Sequence, residues 1–167
     1  MRSIRIFGSP GLRSVSRDVD PAADASLLGE LLPEMDRLLT EEEGIGLAAP
    51  QAGENIRVFI LETSMLPSLC GHRVFVNPKL EAYGPPSRRE EGCLSVPGIY
   101  EPVTRPSLLR ISALDPSGIR FELELDGMAA RAAQHENDHL DGILFVDRLG
   151  ALRRKLLRSK LQKLAGG

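Results

Sequence analysis

"LLRISALDPSGIRFELELDGMAARAAQHENDHLDG", Leu108 to Gly142, is the stretch that decides the fold. It opens with two apolar-rich runs joined by Asp115-Pro116-Ser117-Gly118, a turn sequence. In the second run Ile119, Phe121, Leu123 and Leu125 alternate with Arg120, Glu122, Glu124 and Asp126. That period of two gives one buried and one wet face, as in an antiparallel hairpin. Asp126 can cap a helix that follows and runs to Gly142, a residue suited to a left-handed helix end. Ala129, Ala130, Ala132 and Ala133 allow close packing around that helix, which is therefore expected to lie centrally against the sheet.

Upstream, Leu27, Leu28, Leu31, Leu32, Met35, Leu38 and Leu39 share a helical face. Pro33 inside that pattern predicts a kink or a late start, and Gly44 an end. "IRVFIL" (Ile56 to Leu61) and "RVFVNPKLEAY" read as strands, the second interrupted near Pro78. At the C-terminal end Leu149, Leu152, Leu156, Leu161 and Leu164 fall at helical spacing among Arg153, Arg154, Lys155, Arg158, Lys160 and Lys163. The expected class is α+β: antiparallel or mixed sheets around a central helix, with an N-terminal and a C-terminal helix.

The chain has 167 residues, a formal net charge of -2, 26% charged residues and 42% hydrophobic ones. Residues 1–167 are expected to form one domain. Near-neutral charge gives no field for nucleic acid or membranes. Aromatic residues are 4%, with no Trp, which argues against a base-stacking surface. The two cysteines, Cys70 and Cys93, are too few for a disulfide scaffold. No apolar run is long enough for a signal peptide or a membrane span, so a reducing cytoplasm is expected.

Two of the three histidines, His135 and His139, lie four residues apart within the central helix. Residues at i and i+4 share a face, so both rings point the same way. H-E-x-x-H on a helix is a recurring metal motif, with Glu136 free to take a proton from a water the ion activates. A catalytic ion needs a third protein ligand and an open position. Cys93, in "EEGCLSVPG", sits on a short extended piece between Gly92 and Pro97 and could supply a thiolate, or could be a buried structural thiol. Spacing alone leaves this open. His72 reads as a surface histidine and Cys70 as a loop or core thiol. "GIGLAAPQAG", Gly44 to Gly53, reads as a tight turn into a strand. Its glycines would let a peptide lie alongside, and Gln51 would offer a neutral donor to an oxyanion.

Taken together, "GIGLAAPQ", "EGCLSVP" and "QHENDHLDG" resemble the three signature motifs of peptide deformylases, in the family's order and spacing, through nearly the whole chain. The resemblance implies hydrolysis of the formyl group from N-formylmethionine at the start of nascent polypeptides. It implies Cys93, His135 and His139 as ligands of one divalent ion, usually Fe²⁺, with Zn²⁺, Ni²⁺ or Co²⁺ able to replace it. Glu136 would move the proton, and Gln51 with the Leu94 N–H would stabilise the oxyanion. The peptide would lie along Ile45, Gly46 and Gly92. An apolar slot for methionine would use Ile45, Met128 and Ala132.

Arg131 lies near that face and reads as a helix-surface arginine with a packed stem. By the same analogy Glu91 and Arg105 form an ion pair behind Cys93. The family also implies ribosome contact through the basic C-terminal helix, although such a helix is most often just docked with a solvated face. Gly11, where the family often has a larger residue, and Pro33 depart from the pattern.

Two rivals remain at this level. A zinc peptidase would need a further His or Glu ligand downstream of His139, where no His occurs. A non-catalytic module would close its metal site with a fourth ligand such as Cys70 or His72.

Overall fold

The computed structural model describes residues 1–64 and 66–166. In chain order these form α1 (Ala25–Glu41), β1 (Gly46–Ala48), β2 (Val58–Leu61), β3 (Val74–Glu91), β4 (Glu101–Leu114), β5 (Arg120–Asp126), α2 (Gly127–Leu140) and α3 (Ala151–Ala165). The strands make one antiparallel sheet in the order β1-β2-β3-β4-β5. The class is the expected α+β.

Strand β2 is buried on both faces, which is why its sequence is an unbroken apolar run. Phe59 and Leu61 join Phe75, Leu109, Ile111 and Leu125 against the alanines of α2. Val58 and Ile60 pack with Leu47 and Val76 against Leu28, Leu31, Met35 and Leu39 of α1. The small side chains Ala129, Ala130 and Ala133 let α2 sit close to the sheet. The turn at Asp115–Gly118 closes as expected, with the Gly118 N–H donating to the Asp115 carbonyl at 2.9 Å.

Several local expectations are corrected. Helix α1 does not start late: it runs through Pro33. Pro33 lies on the exposed face, and so does Gly29 four residues earlier, whose carbonyl loses its helical donor. Water can serve that carbonyl, so the lost bond is tolerated. The left-handed residue after α1 is Glu43 (φ 50), not Gly44. Strand β3 is not interrupted at Pro78. A register shift between Val76 and Lys79 absorbs the proline, with Asn77 at φ 48. Asn77 then exchanges two hydrogen bonds with the backbone of Val19, at 2.8 and 2.7 Å. Asp126 holds the N-cap position of α2 in extended geometry but makes no side-chain capping bond. Gly142 has φ 71, and a Cβ there would stand 2.6 Å from the Arg13 carbonyl oxygen, so glycine is required twice over.

Helix α3 docks with only part of the expected leucine set, and Leu157 joins it. Leu149 and Leu157 are buried, with Leu161 and Leu164 partly so, against Val96, Ile99, Phe145 and Val146. Leu152 and Leu156 are exposed, at 72% and 64%.

Candidate active site

The motifs meet where α2 passes the C-terminal end of β3. Gly92 follows β3 directly, and Cys93 leads into a turn rather than an extended piece. Gly92 has a steric reason to be glycine: a Cβ would lie 2.5 Å from Cε1 of Tyr100. The Cys93 Sγ stands 3.3 Å from His139 Nε2. The ligand atoms of Cys93, His135 and His139 all lie within 4.8 Å of one another. Sulfur and nitrogen bound tetrahedrally to one ion at ordinary lengths are about 3.5 Å apart. The donor set and its spacing therefore fit a divalent metal. Among the described residues neither Cys70 nor His72 joins this group. Cys70 is exposed, and His72 is stacked on Phe121 at 4.0 Å. Among the described residues the group thus offers three candidate ligands, which would leave a position open on a four-coordinate ion.

Behind the ligands lies a buried ionic network. The Glu91 Oε2 meets His135 Nδ1 at 3.1 Å, turning the other ring nitrogen toward Cys93. Arg105 grips both oxygens of Glu91, at 2.6 and 2.9 Å, and donates to Asp138 at 2.9 Å. Arg148 forks onto the same carboxylate, its Nε donating to Asp138 Oδ2 at 2.6 Å and its Nη2 to Oδ1. Burial works against a charge on Glu91, but hydrogen bonds from His135 and Arg105 and the Arg105 charge hold its carboxyl well below the usual range. The expected Glu91–Arg105 pair is present.

Arg131 corrects the sequence reading. It is not on the helix surface: it is buried, and it donates to Glu91, to the Val103 carbonyl and to the Ser87 carbonyl. Its partners come from β3 and β4, which helical spacing cannot reveal. Asp138 and Ser95 also went unrecognised. Asp138 is buried three residues after His135, so its helical position was the available signal. Ser95 is fully buried and carried no signal of its own.

"GIGLAAPQ" is arranged in the reverse of the expected order. Strand β1 comes first, and a short 3-10 turn, Ala49–Ala52, follows. That turn buries Gln51 and fixes its amide. The Oε1 accepts the Ala48 N–H at 2.8 Å, so Nε2 faces the Ser95 Oγ at 3.2 Å and the Cys93 Sγ at 3.5 Å. Gly46 makes room for the motif glutamate: a Cβ there would lie 2.6 Å from Glu136 Oε1 and 2.8 Å from Leu61 Cδ2. Glu136 is buried, and its Oε2 has no hydrogen-bond partner among the described residues. Burial lifts its pKa to about 7, opposed by the charges of His135 and Arg105 and assisted by Glu91 and Asp138. A carboxyl so tuned can accept and return a proton near neutrality.

All of this opens on a cleft of about 520 Å³. Ile45, Gly46, Gly92, Leu94, Met128 and Ala132 line it, together with Gln51, Cys93, His135 and Glu136. Every residue expected to touch substrate or ion therefore reaches one cavity, apart from His139, which is buried behind it.

Known proteins resemble this chain throughout. The family model for polypeptide deformylase matches residues 1–155. A peptide deformylase of Cellvibrio japonicus is 42% identical over 158 residues, 94% of this chain and 91% of that protein. That of Pseudomonas aeruginosa is also 42% identical, over 94% of this chain and 92% of its own. Among solved structures, the Plasmodium falciparum peptide deformylase has a TM-score of 0.86 at 34% identity, covering 99% of this chain and 100% of that one. A Legionella pneumophila peptide deformylase has a TM-score of 0.86 at 35% identity, over 98% and 94%. With its Cys-His-His group on that fold, the chain belongs to the polypeptide deformylase family, metallohydrolases that remove the N-formyl group from formyl-methionyl peptides.

Proposed function

We propose that Cys93, His135 and His139 hold the ion, that Glu136 moves the proton, and that Gln51 and Leu94 stabilise the developing oxyanion. The observation that carries this reading is the unpartnered, buried Glu136 Oε2 on the wall of the cleft that also holds Cys93 and His135. The ion would supply Lewis acidity and lower the pKa of a bound water. Glu136 takes the proton of the attacking water and returns it to the leaving amine. The Gln51 Nε2 and the Leu94 N–H donate to the formyl oxygen as its charge grows. The bond from the Ala48 N–H to Gln51 Oε1 supports that role, because it holds Nε2 beside Cys93.

The peptide is read as an added strand along Ile45 and Gly46 on one side and Gly92 on the other. The methionine side chain enters a slot formed by Ile45, Met128 and Ala132, all three on the cleft wall. A formyl carbon bears only hydrogen, so a narrow site rejects larger acyl groups. The ion is read as Fe²⁺ in the cell, with Zn²⁺, Ni²⁺ or Co²⁺ as substitutes. Its borderline sulfur and nitrogen donors accept each of them. Residues 1–167 are taken as one catalytic domain working in the cytoplasm on nascent chains. Among the described residues no helix is long and apolar enough to cross a membrane.

Formate release from formyl-Met-Ala-Ser by anaerobically prepared protein tests the mechanism. Glu136→Gln should lower kcat by at least about 100-fold. An undiminished rate in that variant would remove Glu136 from the proton path.

Ribosome contact through α3 is the remaining part of the proposal. Arg153, Arg154, Lys155, Arg158, Lys160 and Lys163 lie on one helix with no acid among them. Co-sedimentation with ribosomes should weaken steeply as salt rises. If it survives deletion of Leu152 to Gly167, α3 is not the contact.

A further inference from the structure

One wall of the proposed methionine slot is not apolar. Ile45, Met128 and Ala132 line the cleft, and Arg131 lines it beside them. The Arg131 side chain is only 6% exposed. Its Nη1 donates to Glu91 and to the Val103 carbonyl, and its Nη2 donates to the Ser87 carbonyl. A guanidinium carries one hydrogen on Nε and two on each Nη. The Nε hydrogen and one Nη2 hydrogen of Arg131 are therefore without a protein acceptor among the described residues. The buried side-chain nitrogens that lack a partner do not include Nε, so the Nε hydrogen reaches open space. The cleft is the cavity that Arg131 lines.

The charge balance points the same way. Both Glu91 oxygens are already gripped by Arg105, so Glu91 compensates Arg131 only in part. An all-carbon side chain entering the slot would cover this free Nε–H and take its water away, which is unfavourable for a buried charged group. A thioether sulfur is a weak acceptor for it, and a sulfoxide oxygen is a strong one.

We propose that Arg131 is a specificity-determining residue, whose free Nε–H makes the slot favour an N-formyl residue carrying a hydrogen-bond acceptor, methionine sulfoxide above all, over an all-carbon chain of equal length. This rests on the reading of the cleft as the site of deformylation. It extends the substrate class from N-formylmethionine to chains whose first residue has been oxidised.

The test compares formate release from formyl-Met-Ala-Ser, its methionine-sulfoxide form and its norleucine form. For the wild-type protein, kcat/KM for the sulfoxide should exceed that for norleucine by about tenfold, the worth of one hydrogen bond to a charged donor. In Arg131→Met the order should reverse. Binding of the released peptides, measured by calorimetry, should follow the same order in the wild type. A wild type that takes norleucine as well as the sulfoxide overturns the inference and leaves deformylation standing. That comparison needs no variant, so poor folding of Arg131→Met cannot obscure it. Formate from none of the three peptides overturns the reading of the cleft and this inference with it.

Discussion

Glu136 is costly to the fold and, in the proposed mechanism, useful to the reaction. Its carboxyl is raised by burial from the ordinary value to about 7, so the folded protein binds the proton more tightly than the unfolded chain does. The sign follows from linkage. Between the unfolded value near 4.3 and the folded value near 7, the native state holds more protons, so stability falls as pH rises through that window. In the metal-stripped protein Glu136→Gln removes this penalty. The variant should be more stable than the wild type at pH 8, by about 1–3 kcal/mol, with the difference vanishing near pH 4. Urea unfolding of chelator-treated protein at both pH values checks it, and a wild type as stable as the variant at pH 8 contradicts it. The same variant should lose activity, an opposition typical of a strained functional group. Gly46 takes part in this arrangement, since any side chain there would occupy the space of the Glu136 carboxylate. Glu136 could be singled out from the sequence because H-E-x-x-H is local. The second role of Gly46 could not, because its neighbour Glu136 lies far along the chain.

Helices α2 and α3 mark what pattern reading can and cannot reach. In α2 the spacing of His135 and His139 fixes their common face whatever surrounds the helix. Arg131 sits on the same helix and was misread. Its burial depends on Glu91 and on the carbonyls of Ser87 and Val103, all contributed by other strands. A charged side chain is buried only when such partners exist, and partners from tertiary contacts leave no periodic trace. In α3 the leucines expected to share one face are divided between two. The sheet end and the Phe145–Arg148 turn select Leu157, Leu161 and Leu164, and leave Leu152 and Leu156 outside. This difference is measurable. Leu157→Ala should destabilise the protein by about 2–4 kcal/mol, whereas Leu152→Ala should change it by no more than about 0.5 kcal/mol. Equal shifts in the urea midpoint for the two variants would mean that α3 docks on the other face.

For the whole molecule the metal group acts as a clasp between distant parts of the chain. Cys93 follows β3, and His135 and His139 belong to α2; the fold brings their donor atoms within 4.8 Å. In the unfolded chain the cysteine and the histidine pair are separated by a long, flexible stretch, so an ion that binds the native triad binds the unfolded state poorly. Such an ion stabilises the protein by mass action, by about 2.7 kcal/mol when free ion is 100 times its Kd. For a chain of this size that corresponds to about 5–10 °C in Tm. Chelation should therefore lower Tm by that amount, and anaerobic addition of Fe²⁺ or Zn²⁺ should restore it. Cys93→Ser should lose most of the ion-dependent part, because a hydroxyl is a poor substitute for thiolate. Glu136→Gln should retain it, since in the proposed mechanism that carboxyl is the base and not a ligand. The three proteins separate the two functions of the motif: a Tm that ignores chelator in the wild type would mean that the triad holds no ion. An ion dependence lost equally in Glu136→Gln and Cys93→Ser would make the glutamate a ligand rather than the base.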